Sequence, residues 1–165
     1  MEKYDLEEEN EMDNHFEDNK ELMNKLDESF REIRSIINTY WGKYSISGLG
    51  ITHARMMTHL SDNGPTKASH IADKLYITCG AVTGLSDRLI ELGFVTREKD
   101  KHDRRVVLLK LSELGEKHVE EIKAVRKTLM INLFAGLTSD EMENGMYLFN
   151  KMKQNMVNFN AAEKE

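Results

Sequence analysis

Apolar positions recur along the chain at two spacings, and the switch between them divides it. Leu22, Leu26, Phe30, Ile33, Ile37 and Tyr40 follow one another at steps of four and three. That spacing places them on one face of a long helix ending near Gly42. A Ser/Gly loop follows, and "ITHARMMTHL" predicts a short helix carrying Met56, Met57 and Leu60. "DNGP" predicts a turn at Pro65, the only proline of the chain. Thr66 reads as the N-cap of a short helix running to Leu75. After a short connection, Thr78 reads as the N-cap of a further helix over Cys79–Leu92, which Gly93 closes just past its end.

The period then shortens. "FVTRE" and "VVLLKL" are rich in β-branched and apolar residues and flank the polar "KDKHDRR". They predict a two-stranded hairpin, with strands at Phe94–Glu98 and Val106–Leu111 and a charged tip over Lys99–Arg105. From Ser112 the helical spacing returns through His118, Ile122, Val125, Leu129 and Leu133, and stops at Gly136. Thr138 opens a last helix bearing Met142, Met146, Phe149, Met152, Met156 and Phe159.

Two short helices joined by a tight turn and followed by a hairpin make a helix-turn-helix with a wing. The fold class expected is therefore mainly α with a small β-hairpin wing. The first and last helices carry apolar faces that so small a central module cannot cover, so two chains are expected to bury them against each other. The organisation expected is an acidic, disordered segment over 1–18, an N-terminal dimerisation helix and loop over 19–50, a winged helix-turn-helix over 51–115 and C-terminal dimerisation helices over 116–165.

Charge changes the picture only once it is localised. The 165-residue chain carries a formal net charge of −6. Residues 1–18 hold nine acids and one base, so the remainder is slightly basic at +2. Within it, Arg97–Lys110 holds six Lys/Arg against three Asp/Glu. An acidic total thus leaves a nucleic-acid partner open. No apolar run is long enough to span a membrane, and the N-terminus lacks the basic–apolar pattern of a signal peptide, so a cytoplasmic protein is expected. The single cysteine excludes an internal disulfide.

On the helix Thr78–Leu92, one face carries Val82, Leu85 and Leu89 and should pack inward. The opposite face presents Gly80, Thr83, Gly84 and Asp87, with Cys79 and Arg88 on its flanks. Two mid-helix glycines cost about 1 kcal/mol each relative to alanine. They fit a site where a DNA strand approaches the backbone, but they also fit tight helix–helix packing or simple tolerance. Thr78 and the free N–H groups of the first turn suit a phosphate, as does Arg88. Thr66, Lys67 and Ser69 are weaker candidates on the preceding helix.

The hairpin tip is the sharper feature. A ribbon lying along a duplex can place an arginine in the minor groove, where the negative potential is strongest. Asp103, two residues before Arg105, can brace that guanidinium in a bidentate pair. Lys101, His102 and Arg104 stand by for backbone contacts. The competing reading is a solvated charged hairpin.

Taken together, "TKASHIADKL", "ITCGAVTGLSDRLIELGFVTR" and "DKHDRRVVLLKLSELG" resemble the MarR family of bacterial winged-helix regulators. The third piece resembles the family's wing, with Asp100, Asp103-Arg104-Arg105, alternating β-formers, then Ser112 and Gly115. The second resembles its recognition helix, with Leu89, Gly93, Phe94 and Val95 at the exit, and the resemblance places Thr78, Gly80, Ala81, Thr83 and Arg88 in the recognition-helix stretch. The resemblance implies an obligate homodimer, double-stranded DNA as partner, and a pseudo-palindromic operator read by two recognition helices about one DNA turn apart. It also implies a repressor released by a small-molecule effector bound between the dimerisation and DNA-binding parts.

Cys79, in a first helical turn that favours thiolate, is a candidate for oxidation or alkylation. Relatives that sense oxidants carry their cysteine in the first long helix, and Glu21–Trp41 here contains none. The six histidines include no His-x-x-x-His or Cys–His pair, so no metal or other cofactor is expected. The ten methionines fall mostly on helical stripes as core filler; Met56 and Met57, with Phe30, Tyr40 and Trp41, also qualify as walls of a ligand cavity. No nucleophile elbow, phosphate loop or paired metal motif supports an enzyme. A winged helix used for protein interaction is the other competing class, and it predicts no salt-dependent DNA binding.

Overall fold

The computed structural model describes residues 2–100, 103 and 105–162. The chain divides into two units, Met1–Arg126 and Lys127–Glu165.

The first unit opens with helix α1 (Glu2–Tyr44), then a 3₁₀ turn at Ile46–Gly48 and α2 (Ile51–Asn63). Strand β1 (Thr66–Lys67) follows, then α3 (Ala68–Leu75), α4 (Cys79–Glu91), β2 (Val95–Lys99) and β3 (Val107–Leu111). Helix α5 (Glu113–Leu133) begins here and ends in the second unit, where α6 (Ser139–Ala162) completes the chain.

Two expectations are corrected. The segment read as disordered is helical from Glu2 onward. It contains no glycine or proline, and its glutamates are good helix formers placed where acids favour the helix dipole. Thr66 is not a helix cap. It lies in β1, opposite Leu109, and the cap position of α3 falls to Lys67 without a side-chain bond. The hairpin is therefore part of a three-stranded antiparallel sheet in the order β1-β3-β2, with Thr96 opposite Lys110 and Glu98 opposite Leu108. A non-local strand partner outweighs the local capping preference of one threonine.

Elsewhere the local chemistry decides the element ends. Thr78 Oγ1 accepts the Ala81 N–H at 3.2 Å and opens α4. Gly93, at φ +76, turns the chain out of α4 toward the sheet. The Ser112 hydroxyl accepts the Gly115 N–H at 3.0 Å and donates to the Gly93 carbonyl at 2.6 Å, fastening the start of α5 to the exit of α4.

The core of this unit gathers Met56, Met57 and Leu60 from α2, Ile71 from α3, Val82 and Leu89 from α4, Val95 and Leu109 from the sheet, and Val119 from α5. Burial of these side chains holds the helix-turn-helix against the sheet. Trp41, near the end of α1, joins the same core and donates its indole N–H to the Leu49 carbonyl at 3.0 Å.

In the second unit, α6 starts with a reciprocal cap. The Glu141 N–H reaches Thr138 Oγ1 at 3.3 Å, while Glu141 Oε2 accepts the Thr138 N–H at 2.8 Å. That backbone hydrogen bond, then the Thr138 hydroxyl, hold the Glu141 pKa below the ordinary carboxylate value. Phe134, Met146, Phe149, Met156 and Phe159 are all exposed, as are Leu22, Leu26, Ile33 and Ile36 on α1 in the first unit.

Candidate nucleic-acid interface

Helix α4 presents its polar face to solvent. Val82 and Leu89 are fully buried beneath it, with Ser86 beside them, and Leu85 is half-buried. Thr78, Cys79, Gly80, Ala81, Thr83, Gly84, Asp87 and Arg88 are all exposed. The glycines can now be weighed. A Cβ on Gly84 would meet nothing within 4 Å, and one on Gly80 only the Thr78 hydroxyl at 3.9 Å. Tight packing within the chain therefore does not account for them, which leaves tolerance or close approach by something outside the chain.

The charged groups of this face are arranged rather than scattered. Arg97 Nη2 of β2 reaches Asp87 Oδ1 at 2.5 Å and ties the recognition helix to the base of the wing. Asp87 is thus paired with a residue of the sheet through a half-exposed contact. Arg88 Nη1 lies 3.1 Å from Glu91 Oε2, both exposed, and such a pair contributes little to stability. Burial, and then the nearby Arg88, push the His53 pKa below the ordinary histidine value.

The wing tip is organised by two aspartates. Asp100 Oδ1 accepts the Asp103 N–H at 2.9 Å. Asp103 Oδ1 accepts both the Arg105 N–H at 3.0 Å and its Nε–H at 3.3 Å. One carboxylate oxygen thus fixes the arginine's backbone and the root of its guanidinium, in place of the bidentate pair expected. The Arg105 side chain remains 91% exposed. Lys101, His102 and Arg104 lie outside the described residues.

Among the weaker candidates, Lys67 and Ser69 are exposed, whereas Thr66 is buried and donates its hydroxyl to the Gly64 carbonyl at 2.9 Å. Thr66 is therefore turned inward. The proposed ligand wall also separates. Met56 and Met57 are fully buried core residues, Phe30 is exposed, and Trp41 lines a small cavity. That cavity, of about 10 Å³, has room for roughly one water molecule. An open cleft of about 390 Å³ is lined by Ser47, Leu92, Phe94, Leu114, Lys117, His118 and Glu121. His118 stacks on Phe94, with ring centroids 4.4 Å apart, and its Nδ1 lies 2.7 Å from Glu121 Oε2. Periodicity marked His118 as inward-facing but gave no sign of the cleft. Among the described residues no group of three or more His, Cys, Asp or Glu could hold a metal ion, and no helix is long and apolar enough to cross a membrane.

Residues 49–107 match the model of the MarR family. Over 112 residues the chain is 32% identical to the HTH-type transcriptional repressor MdtR of Bacillus subtilis, an alignment covering 67% of this chain and 72% of that one. A solved MepR like protein complexed with pseudoligands is 28% identical, with a TM-score of 0.64, covering 84% of this chain and 96% of its own. A probable transcriptional regulator from Pseudomonas aeruginosa superposes with a TM-score of 0.72 at 21% identity, over 79% of this chain and 98% of its own, and shares the fold.

Proposed function

The chain belongs to the MarR family of DNA-binding transcriptional regulators, not to an enzyme family, and from that premise we propose that it is a ligand-responsive repressor binding a pseudo-palindromic operator as a homodimer. The observation that carries the dimer is the pair of uncovered apolar faces. Leu22, Leu26 and Ile33 on α1, and Met146, Phe149 and Met156 on α6, are each 47–66% exposed. So much exposed apolar surface on a single chain marks an interaction site. The division into a head over 51–115 and dimerisation segments over 19–50 and 116–165 follows from it.

In this reading, α4 enters the major groove and the wing follows the flanking minor groove. Thr78, Cys79, Gly80, Ala81, Thr83 and Gly84 meet the groove, and Arg88, Lys67 and Ser69 meet phosphates, while Asp87 holds Arg97. The repressor sign is supported by the relative MdtR, named a repressor. The effector site is the cleft at Phe94 and His118, and the MepR like relative complexed with pseudoligands supports a small molecule as its occupant. Phe94 leaves α4 there, so an occupant that shifts Phe94 shifts the recognition helix.

Sedimentation velocity at micromolar concentration, followed by footprinting on the promoter region of its own gene, tests the dimer and the operator together. A species of twice the 19.1 kDa chain mass is expected. Two protected half-sites about 10 base pairs apart, centre to centre, should accompany it. A monomer protecting one half-site overturns the proposal.

A further inference from the structure

We propose that Tyr76, in the turn between α3 and α4, is a DNA-backbone contact, its ring packing on a deoxyribose and its hydroxyl donating to the neighbouring phosphate. The inference rests on the DNA-binding reading of α4 and adds a residue outside the recognition helix and the wing.

The first observation is conformational. Tyr76 sits in the left-handed region, at φ 57 and ψ 48. Only Ser47 shares a positive φ among the described non-glycine residues. A bulky aromatic residue rarely adopts it. At the other comparable helix exits this chain uses glycine: Gly64 after α2, Gly93 after α4 and Gly136 after α5, all at positive φ. The exit of α3 needs the same turn. The Tyr76 N–H reaches the Ala72 and Asp73 carbonyls, and the Ile77 N–H bonds the Ala72 carbonyl at 3.0 Å. These bonds are all backbone, so glycine would make them with less strain. A strained residue kept where glycine serves better points to a task for its side chain.

The second observation is exposure. Tyr76 is 86% exposed, more than any other exposed large hydrophobic residue described. Its flanking residues behave differently, with Leu75 buried and Ile77 half-buried. Among the described residues no hydrogen bond or ring contact engages the phenol. The ring therefore contributes nothing visible to the core.

Position supplies the ligand. Tyr76 stands two residues before Thr78, the cap of α4, where free helix N–H groups favour phosphate. In a helix-turn-helix the helix preceding the recognition helix crosses the DNA backbone, so the turn between them lies beside sugar and phosphate. An apolar ring with a polar tip matches that surface. Held in a rigid left-handed turn, the side chain loses little freedom on binding.

The test compares wild type, Tyr76→Phe and Tyr76→Gly for melting temperature and for affinity to a duplex from the promoter region of its own gene. Tyr76→Gly should relieve the backbone and raise Tm by about 2–4 °C. The same protein should bind the duplex about tenfold more weakly, and Tyr76→Phe roughly threefold more weakly, with an unchanged salt slope because no charge is lost. Affinity of Tyr76→Gly within twofold of wild type overturns the contact. Weaker binding accompanied by a lower Tm also overturns it, because the ring would then support the fold. A wild-type protein that fails to bind the duplex overturns the DNA reading and this contact with it, whereas wild-type binding matched by Tyr76→Gly overturns the contact alone.

Discussion

Replacing Gly115 with alanine is expected to destabilise the protein by about 3 kcal/mol, the upper range for overpacking a tight site. In a chain of this size that lowers Tm by roughly 6–12 °C. Gly115 lies in the first turn of α5, and a Cβ there would collide with the Phe94 carbonyl oxygen and press on Leu111 Cδ2 at 3.1 Å. The carbonyl has no room to retreat. It accepts the Ser112 N–H at 3.0 Å, while the Phe94 N–H is bonded to the Leu89 carbonyl at 2.9 Å. The methyl group must therefore push α5 away from the exit of α4, straining the Ser112 clamp between them. Thermal unfolding followed by circular dichroism checks this. A Tm within about 2 °C of wild type would mean that the helix junction is softer than these hydrogen bonds imply.

Arg105→Ala is expected to weaken operator binding by about 1–3 kcal/mol, or roughly 5- to 150-fold, without changing Tm. The unchanged stability follows from the 91% exposure of the side chain, whose pairing with Asp103 is a surface contact. The loss of affinity follows from the proposed role of Arg105 as an exposed cation at the wing tip. Arg97 pairs with Asp87, and Lys110 lies 3.7 Å from Glu98, so these two strand cations are engaged within the fold, whereas Lys99 at the end of β2 is exposed. Asp103→Ala should reproduce part of the loss, because Asp103 Oδ1 fixes both the Arg105 backbone and its Nε. Fluorescence anisotropy on the operator duplex distinguishes the cases, and wild-type affinity in Arg105→Ala would remove the wing from the interface.

The parts of this fold that local chemistry decides were legible in the sequence. Thr78 and Gly93 bracket α4 as capping rules require, and Val82 and Leu89 face inward as the helical period requires. Thr138 opens α6 for the same reason. Features set by distant partners were not legible. Thr66 looks like a cap until Leu109, far along the chain, claims it for a strand. The pairing of Asp87 with Arg97 is likewise set by packing between α4 and β2. Met56 and Met57 lie on an apolar helix face, but periodicity cannot say whether that face meets core or cavity. Gly115 appeared only as a position in a family pattern; its physical reason, the Phe94 carbonyl, depends on packing between elements. Tyr76 passed as a connecting residue because its left-handed conformation has no marker in the sequence.

The mildly basic body of this acidic chain is expected to bind a specific duplex through α4 and the wing. Equilibrium binding to its own promoter region across a salt series tests it most directly, with a scrambled duplex of equal length alongside. The expected result is a specific complex whose affinity falls linearly on logarithmic axes, by about 10³-fold or more between roughly 50 and 200 mM salt if six or more phosphates are contacted. Binding that ignores salt, or that treats the promoter and the scrambled duplex alike, would contradict it.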